Sequence, residues 1–121
     1  MFFVNVGDHT RNKYSAAKKL QEVVVRIIST EVCNGPDYYN NKIDNTMVCA
    51  GYKKGGRDSC GGDSGGPLAC LGPNGRYKLF GVVSWGGRDC ALPKQPGVYA
   101  KTATVLGWIT NYVKGSARSF C

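Results

Sequence analysis

The sequence predicts a mostly β domain that is closed by one short helix near its C-terminal end. Glycine is abundant, with 17 residues in a chain of 121, and the aromatic residues are two Trp, seven Tyr and four Phe. Val, Ile and Tyr occur in short runs between turn-forming residues, which is typical of strands joined by tight turns. A chain of this length has room for one domain with a real core.

The strands are predicted in order from runs of β-branched and aromatic residues. The first clear run, KLQEVVVRIIST, covers residues 19–30 and precedes a turn-rich loop over residues 34–45. A second strand is predicted in NTMVCAGY at residues 45–52. A long strand, YKLFGVVSWG at residues 77–86, follows the turn LGPNGR, and PGVYAK at residues 96–101 is a further short strand.

The last regular element is predicted to be a helix in TATVLGWITNYVKG, residues 102–115. Four of its apolar residues recur at helical spacing: Val105, Trp108, Ile109 and Tyr112. Gly115 offers a C-terminal stop. The sequence contains no run that is long and apolar enough to span a bilayer, so we predict no membrane partner.

The cysteines indicate an oxidising compartment. Six are present and none forms the CxxC pairs of a zinc site: Cys33, Cys49, Cys60, Cys70, Cys90 and Cys121. Disulfides are therefore the better interpretation, and they persist in secreted or extracellular proteins. The N-terminal stretch MFFVNVGDHTRNK, however, has none of the features of a signal peptide. We interpret this conflict as an indication that the chain begins partway into a longer protein.

The charge is strongly basic, with sixteen Lys and Arg against eight acids and a net charge of +8. Small clusters occur at Lys18–Lys19 and over Lys53–Arg57. Such a surface could attract nucleic acid, heparin-like polyanions or acidic membranes. Since no run exceeds two consecutive charges, a solvated face is the better interpretation, and we predict no nucleic-acid partner.

The stretch DSCGGDSGGP, Asp58–Pro67, suggests nucleophilic chemistry. Small neighbours let a substrate carbonyl approach the backbone at Ser64, and the amides of Gly62 and Ser64 could then stabilise an oxyanion. A glycine-rich turn taken alone is more often a plain loop. The chain also has a single histidine, His9, as a candidate base.

Several motifs together, in the same order, carry a family resemblance over about residues 20–113. They are the LQE…ISTEVC strand, TMVCAGY, DSCGGDSGGP, GVVSWG, PGVYAK and the WITNYV helix. The sequence resembles the trypsin-like serine endopeptidases, peptidase family S1. Members have two β-barrels with the active site between them. The resemblance implies that residues 20–121 form the second, six-stranded barrel with its C-terminal helix, and that residues 1–19 are a remnant of the first barrel, which is largely missing.

The resemblance also implies roles for the residues around the serine. Ser64 corresponds to the nucleophile, and Gly62 and Ser64 to the amides that bind the oxyanion. Asp58 corresponds to the floor of the primary specificity pocket, where a carboxylate pairs with a substrate Arg or Lys. Asp63 corresponds to the carboxylate that pairs with the new amino terminus on activation.

Other positions correspond to the walls of the substrate site. Ser84, Trp85 and Gly86 resemble the segment that pairs with substrate backbone, as an added strand would. Gly86 and Gly97 match wall glycines that leave the pocket open to a long basic residue. The implied partners are protein or peptide substrates with Arg or Lys at the cleaved position, and protease inhibitors. No cofactor and no metal are implied.

The family template also implies disulfide pairings. Cys33–Cys49 and Cys60–Cys90 would be its two local bridges, the second beside the pocket. The usual partner of Cys70 is absent, so we expect either a Cys70–Cys121 bridge or two sulfurs available to other partners.

The residues that complete the catalytic triad are missing from this sequence. Relatives carry their histidine in an Ala-Ala-His-Cys string and their aspartate in an Asp-Ile-Ala-Leu string, and neither string occurs here. We interpret His9 as a surface-loop residue rather than a base for Ser64. Arg26-Ile27-Ile28 faintly resembles an activation cleavage site, but we interpret it as part of a core strand.

We therefore predict a secreted, trypsin-like serine endopeptidase as the parent activity, cutting after Arg or Lys. The present chain is expected to be a truncated form that is inactive alone. The alternative is a pseudo-protease binding module that recognises basic residues without cleavage. A third alternative is a polyanion-binding surface at residues 53–57.

Overall fold

The computed structural model describes residues 1–6, 21–56, 64–87 and 90–113. Six strands close into a barrel in the order β1-β2-β3-β6-β5-β4, with every neighbouring pair antiparallel. The strands are β1 Phe2–Val6, β2 Gln21–Ile28, β3 Met47–Gly51, β4 Pro67–Leu71, β5 Tyr77–Trp85 and β6 Gly97–Lys101. The predicted mostly β fold, a six-stranded barrel with a C-terminal helix, is confirmed.

The barrel interior is filled by the inward-facing residues of each strand, because side chains alternate between the two faces of a sheet. The main core cluster consists of Val4, Val25, Val48, Ala50, Leu68, Val83 and Tyr99. Its largest member, Tyr99 on β6, is fully buried. The barrel is therefore a packed core with no internal channel through this cluster.

A second, smaller cluster lies where the loop after β2 folds back onto β3 and β6. It consists of Cys33, Tyr39, Ile43, Cys49 and Val98. The short helix α1, Thr30–Cys33, begins at Ser29, whose hydroxyl accepts a hydrogen bond from the Val32 amide at 3.3 Å. The predicted Cys33–Cys49 disulfide then joins α1 to β3 and is confirmed.

β1 comes from residues 1–19, which were interpreted as a remnant of a first barrel, and that interpretation stays a prediction. β1 lies between β2 and β4, with Phe2 opposite Val25 on one side and Cys70 on the other. Its pairing closes this barrel, so Phe2–Val6 belongs to the same folding unit as the strands after it.

The C-terminal segment leaves the barrel through a 3₁₀ helix, Thr102–Val105, and continues as α2, Leu106–Val113. The buried Thr102 hydroxyl donates to the carbonyls of Leu79, at 3.2 Å, and Phe80, at 2.7 Å, which fixes the exit from β6. The apolar stripe of α2 faces solvent, with Trp108 65% exposed and Tyr112 72% exposed. None of the helices in the described ranges is long and apolar enough to cross a membrane.

Candidate active site

The predicted nucleophile, Ser64, is exposed in a turn that leads directly into β4. The next residue, Gly65, has a φ of +85°, a left-handed conformation that glycine adopts without steric cost. The Gly65 amide donates to the Val83 carbonyl at 2.9 Å, and the Val83 amide donates to the Gly66 carbonyl at 2.9 Å. These two hydrogen bonds fix the residues after Ser64 against β5.

The predicted substrate-pairing segment, Ser84–Gly86, begins directly after Val83. Ser84, Trp85 and Gly86 come immediately after Val83 on β5 and its C-terminal continuation. Ser84 and Gly86 are exposed, and Trp85 is half-buried. The structure therefore brings Ser64 and this segment to the same end of the barrel.

The strand register places the predicted wall residues on adjacent strands. Trp85 on β5 lies opposite Val98 on β6, and the register shifts between Val83 and Trp85. Gly97 precedes Val98, is buried and pairs with Ala50 on β3. Such irregularities re-aim side chains, and they are common beside active sites. Trp85 is the last residue of β5 and Gly97 is the first residue of β6. Both therefore lie at the same end of the barrel.

The segment before β6 packs against the residues that precede the Asp58 motif. The Gly56 amide donates to the Ala91 carbonyl at 2.7 Å, and the Lys94 amide donates to the Lys53 carbonyl at 2.9 Å. A Cβ on Gly55 would lie 2.2 Å from the Ala91 oxygen, so the close approach requires glycine. Ala91 itself has a φ of +62°. The chain therefore enters residues 57–63 from a fixed position.

Tyr39 is a site residue that the sequence analysis missed. Its ring packs edge-to-face on Trp85, with centroids 4.9 Å apart, and its hydroxyl donates to the Pro96 carbonyl. Tyr39 is buried. It thus joins the loop after α1 to both wall segments. No local motif marks this tyrosine, since the surrounding sequence shows only turn-forming residues.

An ion pair makes a second connection between the same two segments. Lys94 Nζ lies 3.0 Å from Asp37 Oδ2, and both side chains are partly exposed. The hydrogen bond from Lys94, together with a backbone hydrogen bond, holds the pKa of Asp37 below its ordinary value of 3.8, and the charges of Lys94 and Lys53 add to this effect.

Several predicted site residues lie outside the described residues: His9, Asp58, Cys60, Gly62, Asp63 and Cys121. Cys70 and Cys90 are disulfide-bonded, while the pairings Cys60–Cys90 and Cys70–Cys121 each include one residue outside the described ranges and stay predictions. In the part of the chain that the structure describes, no three His, Cys, Asp or Glu side chains are grouped as metal ligands would be.

Comparison with known proteins agrees with the barrel and with this arrangement of motifs. The family model described as Trypsin matches residues 2–109. The chain belongs to the trypsin family. Rat Transmembrane protease serine 9 (Rattus norvegicus) is 47% identical over 100 residues, which cover 83% of this chain and 9% of that protein. Human Transmembrane protease serine 5 (Homo sapiens) is 48% identical over 109 residues, which cover 89% of this chain and 23% of that protein.

Membership of the trypsin family makes this a chain of the serine protease class of hydrolases. Trypsin-family proteins act on proteins, so the match implies protein substrates for the class. The Cys33–Cys49 disulfide and the family together indicate an extracellular environment. The chain spans less than a quarter of the length of the two relatives described above.

Proposed function

We propose that this chain provides the nucleophile and the specificity pocket of a secreted trypsin-like serine endopeptidase that cuts after Arg or Lys. The observation that carries the proposal is the pair of hydrogen bonds between the Ser64–Gly66 turn and Val83, beside the Ser84–Gly86 segment. A substrate strand paired with Ser84–Gly86 would present its carbonyl near Ser64.

In this proposal the backbone amides of Gly62 and Ser64 stabilise the oxyanion that forms when Ser64 attacks. Asp58 binds the guanidinium or ammonium group of the substrate residue before the cut bond. The described contacts at Gly56 and Gly65 support this arrangement, because they fix the chain on both sides of residues 57–63. Asp63 pairs with an activating amino terminus.

We further propose that the 121-residue chain does not cut peptides by itself. A serine without an adjacent base is a weak nucleophile at neutral pH. Losing a triad histidine lowers kcat by on the order of a millionfold in a serine protease. The single imidazole, His9, occurs in a sequence context unlike that of the family's catalytic histidine. The base and its aspartate would therefore come from outside these residues.

The first experiment measures hydrolysis of a short arginine ester by the purified, oxidised chain, beside a Ser64→Ala variant and a sample without protein. We expect no turnover above the sample without protein. Turnover that Ser64→Ala abolishes would contradict the proposed inactivity, because it would show that a base reaches the serine, with His9 as the first residue to substitute.

The second experiment measures binding of a benzamidine ligand by calorimetry. We expect binding that Asp58→Asn abolishes and that Asp44→Asn, which changes an exposed carboxylate elsewhere, leaves intact. Benzamidine binding without ester turnover is also what a non-cleaving binding module would show, and the missing triad strings favour that second candidate. Absence of Asp58-dependent binding would contradict both functions.

A further inference from the structure

The outer surface of the barrel carries an apolar face on β1, β4 and β5. We call the set Phe3, Pro67, Ala69, Tyr77 and Leu79 the outer face. A groove of about 300 Å³ crosses it, lined by four of these residues and by Glu22. Their strand neighbours Val4 and Leu68 are fully buried, so alternation directs the outer-face residues away from the core.

Two large apolar side chains of this face are exposed to solvent. Tyr77 is 56% exposed and Leu79 is 41% exposed. The Phe3 and Tyr77 rings meet edge-to-face with centroids 5.7 Å apart, which links β1 to β5 across the groove. Exposed clusters of this kind usually mark a contact with another macromolecule. Because β1 and β4 are each paired with a neighbouring strand on both sides, a partner would bind this face through its side chains.

Two opposite charges on β2 lie along one side of the outer face. Glu22 and Arg26 are both exposed and lie four residues apart on one strand, so their side chains project to the same side about 13 Å apart. Val24 lies midway between them and pairs with Phe3. Glu22 and Arg26 therefore lie at equal distances along β2 from Val24, the residue that pairs with Phe3.

We infer that the partner is a second copy of this chain, packed with its own outer face against this one. The two copies are related by a two-fold axis that lies between the two faces and runs across the strands at Phe3. Such an axis places the two β2 strands antiparallel, with Glu22 of each copy opposite Arg26 of the other. An interface between identical patches must be self-complementary in this way. A different protein as partner would not require Glu22 and Arg26 to lie at equal distances on either side of Val24.

The apolar residues follow the same symmetry. Tyr77 lies opposite Leu71, at the other end of β4 from Pro67. A two-fold axis between these ends brings Tyr77 of one copy to the row of the other copy in which Pro67 pairs with Val82. Two aromatic rings would thus enter the two grooves, while the Glu22–Arg26 pairs close the β2 side.

Sedimentation velocity of the oxidised full chain tests this inference. We expect a reversible dimer of twice the 13.0 kDa chain mass as concentration rises. Glu22→Arg and Arg26→Glu should each weaken association by at least about tenfold, because each places like charges opposite one another twice. Matched control variants with the same charge changes at exposed sites off this face, Glu31→Arg and Lys54→Glu, should dimerise like the parent.

Mixing the two single variants gives the decisive result. In a mixed dimer every facing pair again has opposite charges, so an equimolar mixture should recover parent-like association, as should the double variant E22R/R26E. Circular dichroism of each variant checks that it is folded. A chain that stays monomeric at all concentrations, or a mixture no better than its components, would overturn the inference. A partner found only as a different protein would do so as well.

Discussion

At the scale of single residues, Asp37 and Lys94 show how a surface pair positions the candidate pocket. The hydrogen bond from Lys94 keeps the pKa of Asp37 below its ordinary value of 3.8. The folded chain therefore holds this proton less readily than the unfolded chain does. The pair stabilises the fold above the unfolded pKa, and that stabilisation is lost as pH falls through the lowered folded pKa.

We predict that Asp37→Asn lowers the denaturation midpoint at about pH 7 and has less effect at about pH 2, because the parent carboxylate becomes protonated as pH falls through its lowered pKa. The effect is small, since both side chains are partly exposed. Urea titrations at the two pH values measure it. Lys94→Gln serves as the partner variant, and the double variant should lose no more than either single one. A loss that is equal at both pH values would contradict the role of the charge.

Gly65 fixes the turn of the nucleophile by conformation alone. Its φ is +85°, and a Cβ built there would meet no atom within 4 Å. Gly65→Ala should therefore destabilise the chain by about 1 kcal/mol through backbone strain, without a clash. Gly107, in α2, also has free space but no such φ, so Gly107→Ala should stabilise the chain by roughly 0.5 kcal/mol. Chemical denaturation measures the change in unfolding free energy for each variant. Changes of the same sign in the two variants would contradict the prediction.

At the scale of elements, local sequence patterns predicted β2, β3, β5, β6 and the C-terminal helix, because each has its own apolar run. β4 was not predicted as a strand, since its first residue, Pro67, is also the last residue of the glycine-rich motif. The pairing of β1 was not predicted, because barrel closure depends on pairing with β4, far away in sequence. Such long-range register is not visible in a local pattern.

The candidate site shows the same division between local motif and tertiary contact. Ser64, Ser84–Gly86 and Gly97 are predicted site residues because they occur in motifs that resemble those of the family. Tyr39 was missed because its importance comes from packing on Trp85, 46 positions later in the chain, which no short motif reports. The sequence therefore predicts the chemical groups of the site, while the structure was needed to find the packing around the proposed wall residues.

The exposed stripe on α2 leads to a prediction about this element. Trp108 is 65% exposed, whereas Leu68 on β4 is fully buried. Trp108→Ala should cost less than about 1 kcal/mol of unfolding free energy, and Leu68→Ala about 2–5 kcal/mol. Guanidinium unfolding of both variants, at low protein concentration, makes the comparison. Equal costs would show that the helix stripe is covered in solution.

At the scale of the whole molecule, the barrel is held by long-range strand pairing, and the segments proposed as pocket walls are held by contacts outside the barrel. The loop after α1 reaches the walls through Tyr39 and through the Asp37–Lys94 pair. The Cys33–Cys49 disulfide fixes the start of that loop to β3. Stability of the barrel and order of the candidate pocket are therefore coupled through one covalent bond.

Removal of this disulfide tests the coupling. The cysteines are separated by 16 residues, and closing a loop of that size stabilises a fold by about 3 kcal/mol through the unfolded state. The variant C33A/C49A should lose about that much, since both side chains are also buried. Because Tyr39 contacts Trp85, tryptophan fluorescence should change below the unfolding midpoint, before the far-ultraviolet dichroism of the barrel. Coincident transitions by both probes, with a loss well under 1 kcal/mol, would show that the loop stays in place without the bond, held by Tyr39 and the Asp37–Lys94 pair alone.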